Sequence, residues 1–229
     1  MRIAGIQKLS LLDYPDKTCA TIFTPGCNFR CPFCHNSRLV VNTDEAGHIG
    51  EEEVLAFLAK RQGLLDGVCI TGGEPTLQNG LEDFICKIRA LGFELKLDTN
   101  GYLPDRLEAL LSSGNVNFVA MDIKNSLPRY AETAGIDGLD TEKIKRSIEI
   151  IRNSGVPYEF RTTVVREYHT REDILEIAKL LSGAKRYALQ SFKDSGEVIK
   201  SGLSAYSDAE IEAFAVDIKP YFDEVIIKD

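Results

Sequence analysis

The feature that most restricts the fold of this chain is a hydrophobic period that alternates between two and about 3.6 residues along nearly its whole length. Strand-like runs occur at 19–26 (CATIFTPG), 67–71 (GVCIT), 93–98 (FELKLD), 117–124 (NFVAMDIK), 158–165 (YEFRTTVV) and 185–192 (KRYALQSF). Helical patterns fall between them. Glu51 to Glu53 place negative charge where a helix N-terminus favours it, ahead of an apolar face of Val54, Leu55 and Leu58. Leu81, Phe84, Ile85 and Ile88 recur at helical spacing, with Gly92 positioned to end that helix. PDRLEALLSSG from Pro104, TEKIKRSIEIIRNSG from Thr141 to Gly155, and the stretch from Thr170 to Leu181 read as further helices. Ser207 to Glu210 is a capping-box pattern that opens a last helix before the closing strand FDEVIIK.

Six β-then-α units imply an α/β fold with a mostly parallel sheet and right-handed crossovers. The expected organisation is one domain over 1–229, with an N-terminal extension at 1–18, the six units at 19–192, and a C-terminal helix and strand at 193–229. Periodicity alone does not separate an open doubly wound sheet from a barrel. Residues two apart on a strand share a face, and several strands put charge on one face: Lys96 with Asp98, Asp122 with Lys124, and Glu159 with Arg161 and Thr163. Strands covered by helices on both sides normally read as continuous apolar runs. The charge therefore needs an outlet, either the lumen of a barrel open to a ligand or the solvated rim at the strand ends.

With 44% apolar and 27% charged residues the chain is composed to fold rather than to stay disordered. Its 27 basic residues against 35 acidic ones give a net charge of −8, which argues against a nucleic-acid partner. There is no apolar run of the ~18 residues that a membrane-spanning helix needs, and the opening MRIAGIQKLSLLDYPDK lacks a signal peptide's apolar core. A cytoplasmic location without membrane association is expected. Of the six cysteines, Cys27, Cys31 and Cys34 lie within eight residues, a clustering that in a reducing compartment favours a metal site. Cys19, Cys69 and Cys86 are scattered through apolar or helical stretches and read as buried thiols acting as small hydrophobes.

The cluster Cys27-Asn28-Phe29-Arg30-Cys31-Pro32-Phe33-Cys34 directly follows a strand that ends in Thr24-Pro25-Gly26. Three thiolates on one irregular loop can converge on one metal centre. A cubane iron–sulfur cluster normally takes four thiolates, one per iron, so three leave one iron open to a small molecule. A structural Cys3His zinc site completed by His35 is the alternative. A second motif, Thr71-Gly72-Gly73-Glu74-Pro75, ends the next strand. Its glycines permit close backbone approach and its Glu could accept hydrogen bonds from an ammonium group. The ends of neighbouring parallel strands face the same mouth.

Together, C-x3-C-x-aromatic-C after the first strand and GGEP after the second resemble the two most recognisable motifs of the radical S-adenosylmethionine (SAM) enzymes, and the likeness covers nearly the whole chain. It implies a partial (β/α)6 TIM-like barrel in which Cys27, Cys31 and Cys34 hold a 4Fe-4S cluster and SAM chelates the free iron. It also implies that Phe33 packs near the adenine and that Gly72, Gly73 and Glu74 receive the methionine amino group. The sequence His35-Asn36 after the last cysteine, Asp98-Thr99-Asn100-Gly101, and Met121-Asp122-Ile123-Lys124 resemble the branch that activates glycyl radical enzymes, as does Leu11-Leu12-Asp13-Tyr14-Pro15. On that resemblance Asn36 and Asp98 contact SAM, Lys124 pairs with its carboxylate, Asp98, Thr99 and Asp122 hold a monovalent cation, and Asp13 lies near an entering substrate peptide.

Asp16 stands where many relatives carry Gly, and KRYALQSF has no histidine to match the one that pyruvate formate-lyase activases place on their last strand. Gln190 is the polar residue available there. His48 and His169 read as loop residues without a task. The activity implied is reductive cleavage of SAM to a 5′-deoxyadenosyl radical, which takes hydrogen from a glycine of a partner enzyme. Anaerobic ribonucleoside-triphosphate reductase is the leading partner, and a flavodoxin- or ferredoxin-like protein is the electron donor. The alternatives are a pyruvate formate-lyase-type activase, a radical SAM enzyme for a small molecule such as a 7-carboxy-7-deazaguanine synthase, and a non-catalytic iron–sulfur or zinc module.

Overall fold

The structure, a computed structural model, describes residues 1–41, 43, 47–194 and 196–228. Each of the six apolar runs forms a strand: β2 (Cys19–Thr24), β3 (Gly67–Gly72), β4 (Glu94–Thr99), β5 (Phe118–Asp122), β6 (Tyr158–Val164) and β7 (Ala184–Ser191). Two more strands flank them. β1 (Gly5–Ser10) runs antiparallel to β2, and β8 (Phe222–Lys228) runs parallel to β7. The stretch expected as an N-terminal extension thus supplies an edge strand, and the sheet has eight strands in chain order from β1 to β8. Neighbours in sequence are neighbours in space, the pattern of a barrel wall. Among the described residues β1 and β8 do not pair with each other, so the barrel is partial.

The connecting helices are α1 (Ser37–Val41), α2 (Glu51–Ala59), α3 (Leu81–Ala90), α4 (Pro104–Ser112), α5 (Tyr130–Ala134), α6 (Thr141–Asn153), α7 (Arg171–Leu180) and α8 (Asp208–Ile218). Apolar spacing sets their buried faces. Leu81, Phe84, Ile85 and Ile88 of α3 are buried, as are Ile144, Ile148 and Ile151 of α6. Each such side chain contributes roughly 1.5–3 kcal/mol on leaving water. The start of α7 is fixed by a reciprocal cap in which Asp173 N donates to Thr170 Oγ1 at 3.2 Å and Thr170 N donates to Asp173 Oδ2 at 3.0 Å. Glu210 likewise accepts from Ser207 N at 2.9 Å where α8 begins. Cys86 departs from expectation: it is exposed on the outer face of α3, because Phe84, Ile85 and Ile88 take the inner one. Cys19 and Cys69 are buried as expected.

Register decides where the strand charges go. Thr21 lies beside Cys69, Cys69 beside Lys96, and Lys96 beside Phe118, so these four residues form one inward layer across β2 to β5. Asp122 lies beside Arg161 and Thr163 beside Gln190, continuing the inner face. Lys96 is 1% and Glu159 0% exposed, so these two charges line the lumen, whereas Asp122 is the last residue of β5 and Lys124 follows the strand end. Tyr14, Cys19, Cys69, Phe118 and Ala120 close the N-terminal end of the lumen with a small apolar cluster, Tyr14 packing on Phe118 at 6.0 Å. The C-terminal ends of the strands carry the loops of interest.

Candidate active site

Two loops at the ends of β2 and β3 touch along their backbones. Gly73 N donates to Thr24 O at 2.8 Å and Glu74 N to Gly26 O at 2.7 Å. A Cβ on Gly73 would stand 1.9 Å from Gly26 O, and one on Gly72, whose φ is +117°, would stand 2.3 Å from Thr24 N. The glycines are therefore required for these two loops to meet, and the close approach they allow is to Thr24 and Gly26. Asn36 Nδ2, from the start of the cysteine-loop helix, donates to Gly72 O at 3.0 Å and ties the third side.

Glu74 is 1% exposed and already surrounded by donors. Its Oε1 accepts from Thr76 N at 3.0 Å, Thr76 Oγ1 at 2.5 Å and Thr99 Oγ1 at 2.8 Å, and its Oε2 accepts from Asn100 N at 2.7 Å. Burial nevertheless outweighs these bonds and raises its pKa above the ordinary carboxylate value. Glu74 thereby fixes Thr99 and Asn100 at the end of β4 from the end of β3.

Cys27, Cys31 and Cys34 line one cavity of about 520 Å³ together with Phe33, Asn36, Gly72, Gly73, Glu74, Asp98, Thr99, Asp122, Lys124, Gln190 and Asp13. Every site residue named from the sequence thus borders the same space. Burial pushes the thiols up, Cys27 to about 12 with the Glu74 charge adding to it, Cys31 to about 11, and Cys34 in the same direction. Such thiols stay protonated until a metal displaces the proton. Among the described residues no three His, Cys, Asp or Glu side chains stand together as ligands for a single ion. A cubane asks for a wider spacing, since each cysteine holds a different iron. His35 does not complete a zinc tetrahedron: its Nε2 lies 2.7 Å from Lys193 O and its ring stacks on Phe192 at 5.5 Å. A sulfur-only donor set on one loop, beside a buried amide nitrogen of Asn28 that has no partner, fits an iron–sulfur cluster.

Below the cysteines runs a line of alternating charge. Lys96 pairs with Asp98, Arg161 bridges Asp98 at 3.1 Å and Asp122, and Lys124 pairs with Asp122 at 2.9 Å. Burial alone would raise both carboxyls, but Arg161 and the adjacent lysine hold Asp98 and Asp122 below the usual carboxylate range. Burial would lower Lys124, but the Asp122 charge raises it, so it is a firm cation. Thr99, expected beside these carboxylates, instead gives its hydroxyl to Glu74. A metal cation at Asp98 and Asp122 would have to displace the guanidinium.

Three contributors escaped the sequence reading. Asn100 binds the cysteine loop, its Nδ2 lying 2.7 Å from Asn28 Oδ1 and 3.7 Å from Cys27 Sγ. Arg161 reads in the sequence only as a strand charge. His169, which reads in the sequence as a loop residue, is fully buried: Nδ1 accepts from Val165 N at 3.1 Å and Nε2 reaches Lys124 O at 2.8 Å. Its ring lies 6.0 Å from Phe33, which also packs on Tyr168. Burial lowers its pKa, so it stays a neutral prop between the cysteine loop and the Lys124 backbone. No local pattern marks it; an isolated His after a strand carries no burial signal.

Along nearly its full length the chain is similar to a Methanocaldococcus jannaschii protein named "Putative glycyl-radical enzyme activating enzyme", at 34% identity over 99% of this chain and 95% of that one. A Helicobacter pylori GTP 3′,8-cyclase is 31% identical over 68% of this chain and 50% of its own. Among solved structures, Streptococcus suis SuiB superposes with a TM-score of 0.71 at 14% identity, covering 91% of this chain and 48% of that one. The chain spans about half the length of the last two proteins. The model of the radical SAM superfamily matches residues 21–181, the stretch that holds the cysteine loop, the GGEP turn and the charged lumen, and the chain belongs to that superfamily.

Proposed function

We propose that this radical SAM enzyme activates a glycyl radical enzyme, anaerobic ribonucleoside-triphosphate reductase foremost, by taking hydrogen from a glycine Cα of that partner. The observation that carries the reading is the near full-length likeness to the activating-enzyme homologue, joined to a site in which all the expected residues border one cavity. Exposed apolar surface supports a protein substrate. Leu9, Leu11 and Leu12 are 57%, 69% and 88% exposed, next to Asp13, whose side chain borders the cavity and accepts from Thr21 Oγ1 at 2.5 Å.

Cys27, Cys31 and Cys34 would hold the 4Fe-4S cluster. When bound, the cluster and SAM supply the carbon radical that abstracts the glycine hydrogen, with the electron coming from a reduced flavodoxin- or ferredoxin-like donor. The chain's own part is positional. Lys124 offers a firm positive charge to the SAM carboxylate while Asp122 keeps it aligned. Gly72, Gly73 and Glu74 take the amino group, Asn36 and Asp98 bound the nucleoside, Phe33 covers the adenine, and Gln190 faces them from β7. The walls around them exclude water from a reactive intermediate.

The test is to reconstitute the protein anaerobically, add SAM and a one-electron reductant, and mix it with anaerobic ribonucleoside-triphosphate reductase. Formation of 5′-deoxyadenosine with a glycyl radical signal on the partner is expected. SAM cleavage with no radical on any glycyl radical enzyme would turn the reading towards a small-molecule substrate. Protein that takes up zinc and never cleaves SAM would refute it altogether.

A further inference from the structure

Among the described residues two buried side-chain atoms have no hydrogen-bond partner, Nδ2 of Asn28 and Oε2 of Glu159. Asn28 lies in the cysteine loop, directly after Cys27. Its orientation follows from its neighbours. Tyr102 N donates to Asn100 Oδ1 at 3.0 Å, which identifies the oxygen of that amide and turns its Nδ2 the other way. Asn100 Nδ2 donates to Asn28 Oδ1 at 2.7 Å and stands 3.7 Å from Cys27 Sγ. Asn28 has therefore spent its oxygen on Asn100, and its remaining amide hydrogens are buried with no acceptor in the chain. Phe29 N also donates to Cys27 Sγ at 3.3 Å. The assembly is held from behind, because Glu74 Oε2 takes the backbone N–H of Asn100 at 2.7 Å.

Buried donors without acceptors are rare in folded proteins and call for an explanation. An iron–sulfur core carried by Cys27 provides one, since its sulfurs accept hydrogen bonds. We propose that Asn28 and Asn100 form an amide clamp that donates N–H groups to the sulfur shell of the cluster at Cys27 and raises its reduction potential. The physical basis is charge. A reduced cluster carries one more negative charge than the oxidised one, so neutral N–H donors stabilise it more, and hydrogen bonding to the sulfurs is one of the factors that sets cluster potential. The proposal rests on the reading that the three cysteines hold a cluster and is independent of which partner is activated.

The experiment compares the reconstituted parent with Asn28→Leu and Asn28→Asp by iron content and by redox titration without SAM. Asn28→Asp keeps an oxygen for Asn100 and replaces the donors with an acceptor. At a fixed solution potential the ratio of reduced to oxidised cluster is expected to fall about tenfold in Asn28→Leu, equal to about 59 mV for one electron, and at least as far in Asn28→Asp. Variants that carry full iron and titrate within twofold of the parent overturn the clamp. Should a variant load too little cluster to titrate, the parent decides. With asparagine labelled with 15N at the side-chain amide, a nitrogen coupling to the reduced cluster in pulsed electron paramagnetic resonance supports the clamp, and its absence overturns it. A parent that fails to load iron on its three cysteines overturns the cluster reading itself, whereas one that loads iron and cleaves SAM while its variants are unshifted overturns the clamp alone.

Discussion

Replacing Arg161 tests the charged lumen most directly. Its guanidinium bridges two carboxylates while only 15% exposed, and Asp98 and Asp122 are 10% and 27% exposed. In Arg161→Met each acid keeps one lysine, Lys96 for Asp98 and Lys124 for Asp122. Removing one partner from a buried ion pair typically costs 3–5 kcal/mol. Because neither carboxylate is left bare, the low end applies, about 3 kcal/mol at pH 7. For a chain of this length that corresponds to a fall in Tm of roughly 6–12 °C. The pH dependence has a defined sign. Asp98 and Asp122 are held below their unfolded values, so the stability they add to the parent is present at neutral pH and is lost as pH falls below about 4. In the variant burial opposes the charge with less to counter it, so the gap between the two proteins should be widest at pH 7 and narrow on acidification. Urea unfolding of the metal-free proteins at pH 7, 5.5, 4 and 3 measures this. A loss below 1 kcal/mol at pH 7, or a gap that grows as pH falls, would refute the argument. Arg161→Lys, which keeps the charge without the two-armed contact, should recover only part of the loss.

Cys31→Ala is expected to abolish cluster loading, while Cys86→Ala, on the outer face of α3, should bind iron like the parent; equal iron and sulfide content in Cys31→Ala and parent would remove the proposed ligand set. Since Arg161 already bridges Asp98 and Asp122, exchanging sodium or potassium for choline at constant ionic strength should leave SAM affinity within about twofold, read by equilibrium dialysis of the reconstituted protein. A tenfold loss would mean that a metal cation displaces the guanidinium.

The architecture was legible because period-two and period-3.6 patterns report directly on which face is buried. Leu81, Phe84, Ile85 and Ile88 specify α3, and the polar pairs Lys96 with Asp98 and Asp122 with Lys124 mark a strand face that points into a lumen. The cysteine grouping was legible for the same kind of reason, Cys27, Cys31 and Cys34 being local in sequence and bordering one cavity in the fold. Burial of single residues was less so. Cys86 falls one position off the apolar stripe and lands in solvent, while His169, with no stripe at all, lands in the core. The pairing of β1 with β2 is equally hidden, since an edge strand with exposed residues on both faces reads as extended chain.

What sequence could not supply is the set of contacts between strand ends. Glu74 meets Thr99 and Asn100 from 25 and 26 residues away, and Asn100 meets Asn28 from 72. These distances depend on sheet register and on the backbone contact that Gly72 and Gly73 make with Thr24 and Gly26, neither of which a motif records. The consequence reaches the chemistry. Read as a string, GGEP is a ligand-facing loop with a free carboxylate. In the fold it is first a joint: the glycines bring β3 against β2, and Glu74 fastens the end of β4 to both through two accepted hydrogen bonds, from Thr99 Oγ1 and Asn100 N. Substitution there would disturb Asn100 and, through it, the surroundings of Cys27. The cysteine loop and the GGEP turn therefore act as one structural unit, and an effect on either should be sought in the cluster as well as in SAM binding.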